Sequence, residues 1–342
     1  MRNPSKCRTA GAEPGGSNVF LLTRSRLSNS TAVMMNLVRR FLVFVAICSI
    51  ALPAVAASRA RHVFIISIDG GNPDEIQRSA MPVLKKLVKE GAHTWVANTI
   101  TPSLTLPAHT SMLTGVGAAS HKIMWNNWTP SNGIVSVPTV FAAAKKAGFS
   151  TAMFVGKEKF RHLLQPGTVD EFNLNRDASV VVSKNDSGGT VMKKEGNIFA
   201  KIVANDAASY IIKNKPGLSF IHFTDPDTIG HVFGWGSPEQ HKGFADTDAA
   251  LDVVMKAIRK AGIAKDSVII ISADHGGHER GHSKGTPEDM HIPWIAWGKG
   301  VKKGFKITAP VGTCDTAATA LWLLGIEPVA PLEGTVVKSA FK

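Results

Sequence analysis

The chain has 342 residues, a formal net charge of +13 and three cysteines. No Arg-rich run with interleaved aromatics accompanies the basic excess, which sets a nucleic-acid-binding domain aside. The excess fits an anionic substrate or ordinary solubility.

Residues 1–33 are polar and basic with no apolar period. They read as a disordered extension, or as a start assigned upstream of Met34 or Met35. Residues 34–56 then carry Arg39 and Arg40, an apolar run from Phe41 to Leu52, and the small-residue stretch Ala54-Val55-Ala56. That order is a secretory signal peptide cleaved near Ala56. The run is about sixteen residues even when extended to Ala56, short of the ~20 a spanning helix needs. The sequence thus predicts a periplasmic or secreted protein with no stable membrane anchor after cleavage. Without residues 1–56, which hold seven Lys/Arg and one Glu, the excess falls to +7. Only Cys314 remains, so the mature chain has no internal disulfide. Residues 57–342 suit one large α/β domain, and no pattern in them sets an oligomeric state.

His62–Gly70 ("HVFIISIDG") is a continuous β-branched run ending in Gly-Gly, the pattern of a strand buried on both faces. Met81–Gly91 has helical apolar spacing closed by glycine. "TVFAAAKKAG" predicts a helix and Ser150–Val155 a strand. Asp170–Gly196 is polar and reads as a surface insertion near 170–196. "NIFAKIVANDAASYIIKNKPG" predicts a helix, then the strand "LSFIHFTD". "HKGFADTDAALDVVMKAIRKAG" predicts a longer helix, then the strand "SVIIISAD". "DTAATALWLLG" closes the chain's helices. Strands alternating with helices predict a mostly parallel sheet covered on both faces. Ligands in such sheets collect beyond the carboxyl ends of the strands, where Asp69, Asp225 or Asp227, and Asp274 stand.

Carboxylates gathered at one sheet edge require a cation or protons to offset their repulsion. Imidazoles beside them form a typical shell for Zn²⁺. The candidates are Asp69, Asp227, His231, Asp274, His275, His278 and His282. In "DPDTIGH", one helical turn would aim Asp227 and His231 at a single ion. Gly276-Gly277 lets the chain leave regular structure so that Asp274 and His275 can converge. More than four candidates predict two metals, which stabilise attacking and leaving oxygens in phosphoryl displacement. A hydroxyl at a helix N-terminus would suit an anion there. Ser103 and Thr105 both precede the helix through His109–Leu113 and compete for that role, against the alternative of a helix cap.

"IDG", "TLPAHTSMLTG", "DPDTIGH", "SADHGG" and a later "GH…PEDM" occur in that order. With them the chain resembles the type I phosphodiesterase/nucleotide pyrophosphatase family of the alkaline phosphatase superfamily, from about His62 to the last helix. The resemblance implies an alkaline phosphatase-like three-layer α/β sandwich. It implies two divalent ions, zinc first, with manganese or iron as the carboxylate-compatible alternatives. Asp69, Asp274 and His275 would hold one ion, with Thr105 as its hydroxyl ligand and as nucleophile. Asp227, His231 and His282 would hold the other. Asn126, or its neighbour Asn127, would hydrogen-bond a phosphoryl oxygen. The implied substrate is a small phosphate ester. A sulfatase would want Cys or Ser where Thr105 stands.

Two further readings use the same residues. One is a phosphonate hydrolase or phosphomutase-like enzyme on this fold. The other is a non-catalytic metal- or partner-binding protein. His278 reads as a bystander, His291 as a substitute for His282, and His222 as a core histidine. His109 and His121 read as loop braces, and Glu288-Asp289 as an orienting pair. Trp125, Trp128 and Trp235 read as packing or as a stacking surface for a leaving group.

Overall fold

A computed structural model describes residues 59–173, 182–184, 190–192 and 199–342. The extension at 1–33, the signal segment at 34–56 and most of the insertion lie outside the described residues. The strands are β1 (His62–Ile68), β2 (Ala92–Asn98), β3 (Thr151–Val155), β4 (Glu171–Asn173), β5 (Val182–Lys184), β6 (Thr190–Met192), β7 (Leu218–Phe223), β8 (Ser267–Ser272), β9 (His291–Gly298) and β10 (Phe305–Lys306). Strands β5 and β6 pair antiparallel within the insertion. The others form one eight-stranded sheet in the order β10-β2-β9-β8-β1-β7-β3-β4. Only β9 runs against its neighbours in that sheet.

The α-helices are α1 (Pro73–Arg78), α2 (Pro82–Glu90), α3 (Thr105–Thr114), α4 (Ala118–His121), α5 (Val140–Lys146), α6 (Ala200–Asn214), α7 (Asp225–Phe233), α8 (Pro238–Lys260), α9 (Pro287–Met290) and α10 (Asp315–Leu324). The strand period of two divides the central strands between two cores. Val63 and Ile65 of β1, with Val268 and Ile270 of β8, pack with residues of α3, α5 and α10. Phe64, Ile66 and Ile68, with Ile269 and Ile271, pack with residues of α1, α2, α6 and α8. Helix, sheet and helix therefore make the expected three layers. Each fully buried Ile or Phe contributes about 1.5–3 kcal/mol, which explains why the central strands are mostly apolar.

Strands β2 and β9, and the short β4, β5, β6 and β10, were not anticipated from sequence. β9 contains Pro293, which has no N–H to give a ladder. Its partner β2 shifts register between Thr94 and Ala97, opposite that proline. The bulge absorbs the missing donor, and the Pro293 carbonyl instead accepts from Ser272 Oγ at 2.8 Å. No described helix is long and apolar enough to cross a membrane.

Candidate active site

Strand register explains why the charged residues meet. Ser67 of β1 is the partner of Ser272 in β8 and of His222 in β7, and His222 is the partner of Val155 in β3. Two residues beyond this row stand Asp69, Asp274 and Lys157, on three different strand ends. Asp227 arrives from the first turn of α7. Asp225 points elsewhere, accepting from the Ala200 N–H at 2.8 Å. The chain turns after β1 at Gly70, whose φ of +68° favours glycine. A Cβ there would lie 2.9 Å from the Asp227 Cα. At Gly276 a Cβ would come within 1.9 Å of the Glu288 carbonyl oxygen. Only bare backbone fits the exit from β8, so Asp274 and His275 can both face inward.

The hydrogen bonds then decide which atoms are spare. Asp69 Oδ2 accepts from His222 Nε2 at 2.8 Å and forms an ion pair with Lys157 Nζ at 2.6 Å. Asp227 Oδ2 accepts from the same ammonium at 2.6 Å. Asp274 Oδ1 accepts from the Gly70 N–H at 3.2 Å. Each carboxylate thus uses one oxygen. Asp69 Oδ1, Asp227 Oδ1, Asp274 Oδ2 and His275 Nε2 are buried without a hydrogen-bond partner. They are four of the six such side-chain atoms among the described residues, and a buried orphan costs about 1–3 kcal/mol.

The imidazoles follow one rule. His275 Nδ1 meets the Gly276 carbonyl at 2.9 Å, His282 Nδ1 the Ser103 carbonyl at 2.6 Å, and His231 Nδ1 the Arg280 carbonyl at 2.9 Å. A carbonyl can only accept, so each Nδ1 carries a proton, and in the neutral imidazole each Nε2 presents a lone pair. His275 Nε2 lies 3.1 Å from Asp274 Oδ2 and 3.5 Å from Asp69 Oδ1. His282 Nε2 lies 3.7 Å, and His231 Nε2 3.3 Å, from Asp227 Oδ1. Two groups are tight enough to hold an ion: Asp69–Asp274–His275 and Asp227–His275–His282. Neutral imidazoles and carboxylate oxygens without partners fit divalent zinc. His231 adjoins the second group but is outside the tight trio, where His275 stands instead.

The electrostatics agree with an anionic centre. Burial would raise the Asp69 pKa, but Lys157 and His222 hold it well below the usual carboxylate range. Burial opposes charging of His275, yet Asp274, Asp69 and Asp227 push its pKa up to about 9. Burial and then His275 push His282 down to about 4.

Above the centre lies a cavity of about 790 Å³ lined by Thr105, Asn126, Asn127, Trp128, Lys159 and His231 among others. Thr105 is the first residue of α3, and the preceding cap, Leu104, offers no side-chain bond. The hydroxyl of Thr105 is therefore not a cap. Ser103 is turned away from the cavity: its Oγ donates to the His282 carbonyl. Asn126 Oδ1 accepts from the Leu106 N–H and from Lys159 Nζ, both at 3.0 Å. Those two donors fix the amide orientation and turn its NH₂ to other acceptors.

The other residues that the sequence singled out take the following places. His222 is a core histidine with a further task, since its Nδ1 accepts from the Gly156 N–H while its Nε2 supports Asp69. His109 bonds the Thr105 carbonyl and Ser67 Oγ beneath the centre and lies 3.4 Å from Asp274 Oδ2. His121 braces a loop, accepting from the Ile123 N–H. His278 pairs with Asp289 at 2.8 Å, away from both groups. Asp289 also accepts from the Lys284 and Gly285 N–H groups, an orienting role. His291 opens β9 opposite Asn98. Trp128 lines the cavity, Trp125 packs on His162, and Trp235 donates to the Gly70 carbonyl. Lys157 and Lys159 were not foreseen. Position could have found them, because "GKEK" follows a strand of the same parallel set.

The type I phosphodiesterase/nucleotide pyrophosphatase sequence profile matches residues 63–284. An uncharacterized pyrophosphatase/phosphodiesterase of Schizosaccharomyces pombe is 26% identical over 233 residues, covering 63% of this chain and 44% of that protein. Among solved structures, murine ectonucleotide pyrophosphatase/phosphodiesterase 5, in an inactive threonine-to-alanine form with AMP, superposes with a TM-score of 0.65 at 14% identity. That match covers 82% of this chain and 100% of the other. A phosphonate monoester hydrolase from Silicibacter pomeroyi gives a TM-score of 0.61 at 15% identity, over 81% of this chain and 76% of its own. The two structural likenesses bear on fold alone. The chain spans less than half the length of the curated relatives it matches.

Proposed function

This chain belongs to the type I phosphodiesterase/nucleotide pyrophosphatase family, and from that premise we propose that it is an exported two-metal phosphoric ester hydrolase with Thr105 as nucleophile. The observation that carries the reading is the convergence of four buried, partnerless ligand atoms next to a cavity that Thr105 lines together with Asp227 and His282.

Asp69, Asp274 and His275 would hold one divalent ion, and Asp227, His231 and His282 the other. His275 is close enough to serve either group. Bound there, zinc ions would supply Lewis-acid stabilisation of the reacting oxygens. The remaining work belongs to the chain. The N-terminus of α3 favours negative charge on Thr105 Oγ. After its proton passes to solvent, Oγ bonds phosphorus as the leaving oxygen departs with its electron pair. Water then cleaves the Oγ–P bond and restores the hydroxyl. The Asn126 amide donates to a non-bridging oxygen, and the Lys159 ammonium behind it adds positive charge. The threonine-to-alanine form of the murine relative, named inactive, supports the choice of Thr105. Residues 34–56 support export.

The test is Thr105→Ala, assayed on p-nitrophenyl phosphate and bis(p-nitrophenyl) phosphate with metal content measured in parallel. The expected result is loss of turnover on both, with bound metal retained at one equivalent or more. Full activity in the variant would remove Thr105 from the mechanism. Turnover of phosphonoacetate alone by the wild type would favour the phosphonate hydrolase. Stoichiometric metal with no turnover of any ester would mark a binding protein.

A further inference from the structure

Lys157 is a buried cation held by two acids from different elements. Its ammonium lies 2.6 Å from Asp69 Oδ2, at the end of β1, and 2.6 Å from Asp227 Oδ2, in α7. Its side chain is 8% exposed. Those two acids belong to different candidate metal groups. The contact is also closed into a ring. The Gly156 N–H donates to His222 Nδ1, His222 Nε2 donates to the Asp69 oxygen that Lys157 meets, and Gly156 precedes Lys157 in the chain. Rotation of any member breaks a bond in the ring. The ammonium donates a hydrogen bond to Asp227 Oδ2 and forms an ion pair with Asp69 Oδ2. The lysine therefore occupies the outer oxygens and leaves Asp69 Oδ1 and Asp227 Oδ1 facing the cluster.

We propose that Lys157 is a positioning residue that serves as the resident counter-ion of the centre, tying the two candidate metal groups together through Asp69 and Asp227 and holding their geometry before any ion binds. The proposal rests on the two-metal reading above. Without this cation, three buried carboxylates face one another with only imidazoles and backbone N–H groups between them, and like charges at that range repel strongly. Divalent ions would offset the same repulsion. The need for Lys157 is therefore greatest in the metal-free protein and smallest in the loaded one.

Thermal unfolding of wild type, Lys157→Met and Lys157→Arg, each in EDTA and in zinc chloride at one fixed pH, reads this directly. In EDTA, Lys157→Met should melt roughly 10 °C below wild type, as expected for removing one partner of a buried ion pair in a domain of this size. In zinc the gap should close to less than about 3 °C. Lys157→Arg should recover part of the loss in EDTA. A variant that folds only when zinc is added is the extreme form of the expected result. An equal penalty in both conditions, or failure to fold in either, would reduce Lys157 to an ordinary structural residue. No penalty in either condition, with a raised KM for p-nitrophenyl phosphate, would make it a substrate ligand. A wild type whose melting ignores zinc and manganese would overturn the two-metal reading, and this proposal with it.

Discussion

The two candidate metal groups are built from different materials. Asp69, Asp274 and His275 sit on the ends of central parallel strands and are wholly buried. Asp227 and His231 ride on α7, and His282 hangs from a loop fastened to Ser103. The His231 side chain is 44% exposed. The strand-borne group inherits the precision of the sheet, since its positions follow from register. The second group depends on one helical turn and one loop. A site made this way has a rigid half and an adaptable half. The adaptable half faces the cavity where a substrate would enter.

The largest test of that contrast is His275→Ala. His275 belongs to both tight groups, so its loss should lower zinc well below two equivalents and activity by roughly 10³-fold or more. That exceeds the 10–100-fold typical when only a supporting group is lost. His282→Ala should remove one equivalent and leave the strand-borne ion in place. If the two variants lose the same metal, the division between halves is wrong.

A smaller effect concerns Lys159, on the cavity side. Burial and then the nearby Lys157 lower its pKa to about 8. Below that pH the ammonium is charged and attracts an anionic substrate; above it the amine is neutral. KM should therefore rise as pH increases past about 8, and Lys159→Met should abolish that limb without changing zinc content. A pH profile of KM indistinguishable between wild type and variant would count against Lys159. The smallest effect is His278→Ala. Its pair with Asp289 is partly exposed, so stability should fall by about 1 kcal/mol or less, with metal content unchanged. Equal damage from His275→Ala, His282→Ala and His278→Ala would erase the distinction between ligands and brace.

Much of this arrangement is legible from the chain, for physical reasons. β1, β7 and β8 announce themselves because a strand covered on both faces is apolar along most of its length. The acids beyond β1 and β8 are conspicuous because carboxylates rarely follow such runs without cause. β9 is hidden by Pro293, whose missing donor argues against a central strand until the bulge in β2 is seen. Lys157 is hidden because a lysine after a strand usually reaches solvent. Its place after a parallel strand puts it near the site, but its burial depends on partners at residues 69 and 227 that this place does not identify. His222 looks like any core histidine until Asp69 is placed beside its Nε2.

The row of register partners at Ser67, Ser272, His222 and Val155 has a consequence for folding. A one-residue slip of any strand would turn its side chains to the opposite face. The charged residues two positions further on would then no longer meet. β1 lies about 150 residues from β7 and about 200 from β8 along the chain, and pairings that distant close late and slowly. The acids, the lysine and the histidines therefore remain dispersed on separate segments until the sheet has closed in its correct register. Assembly of the centre is itself a check that the long-range topology has formed.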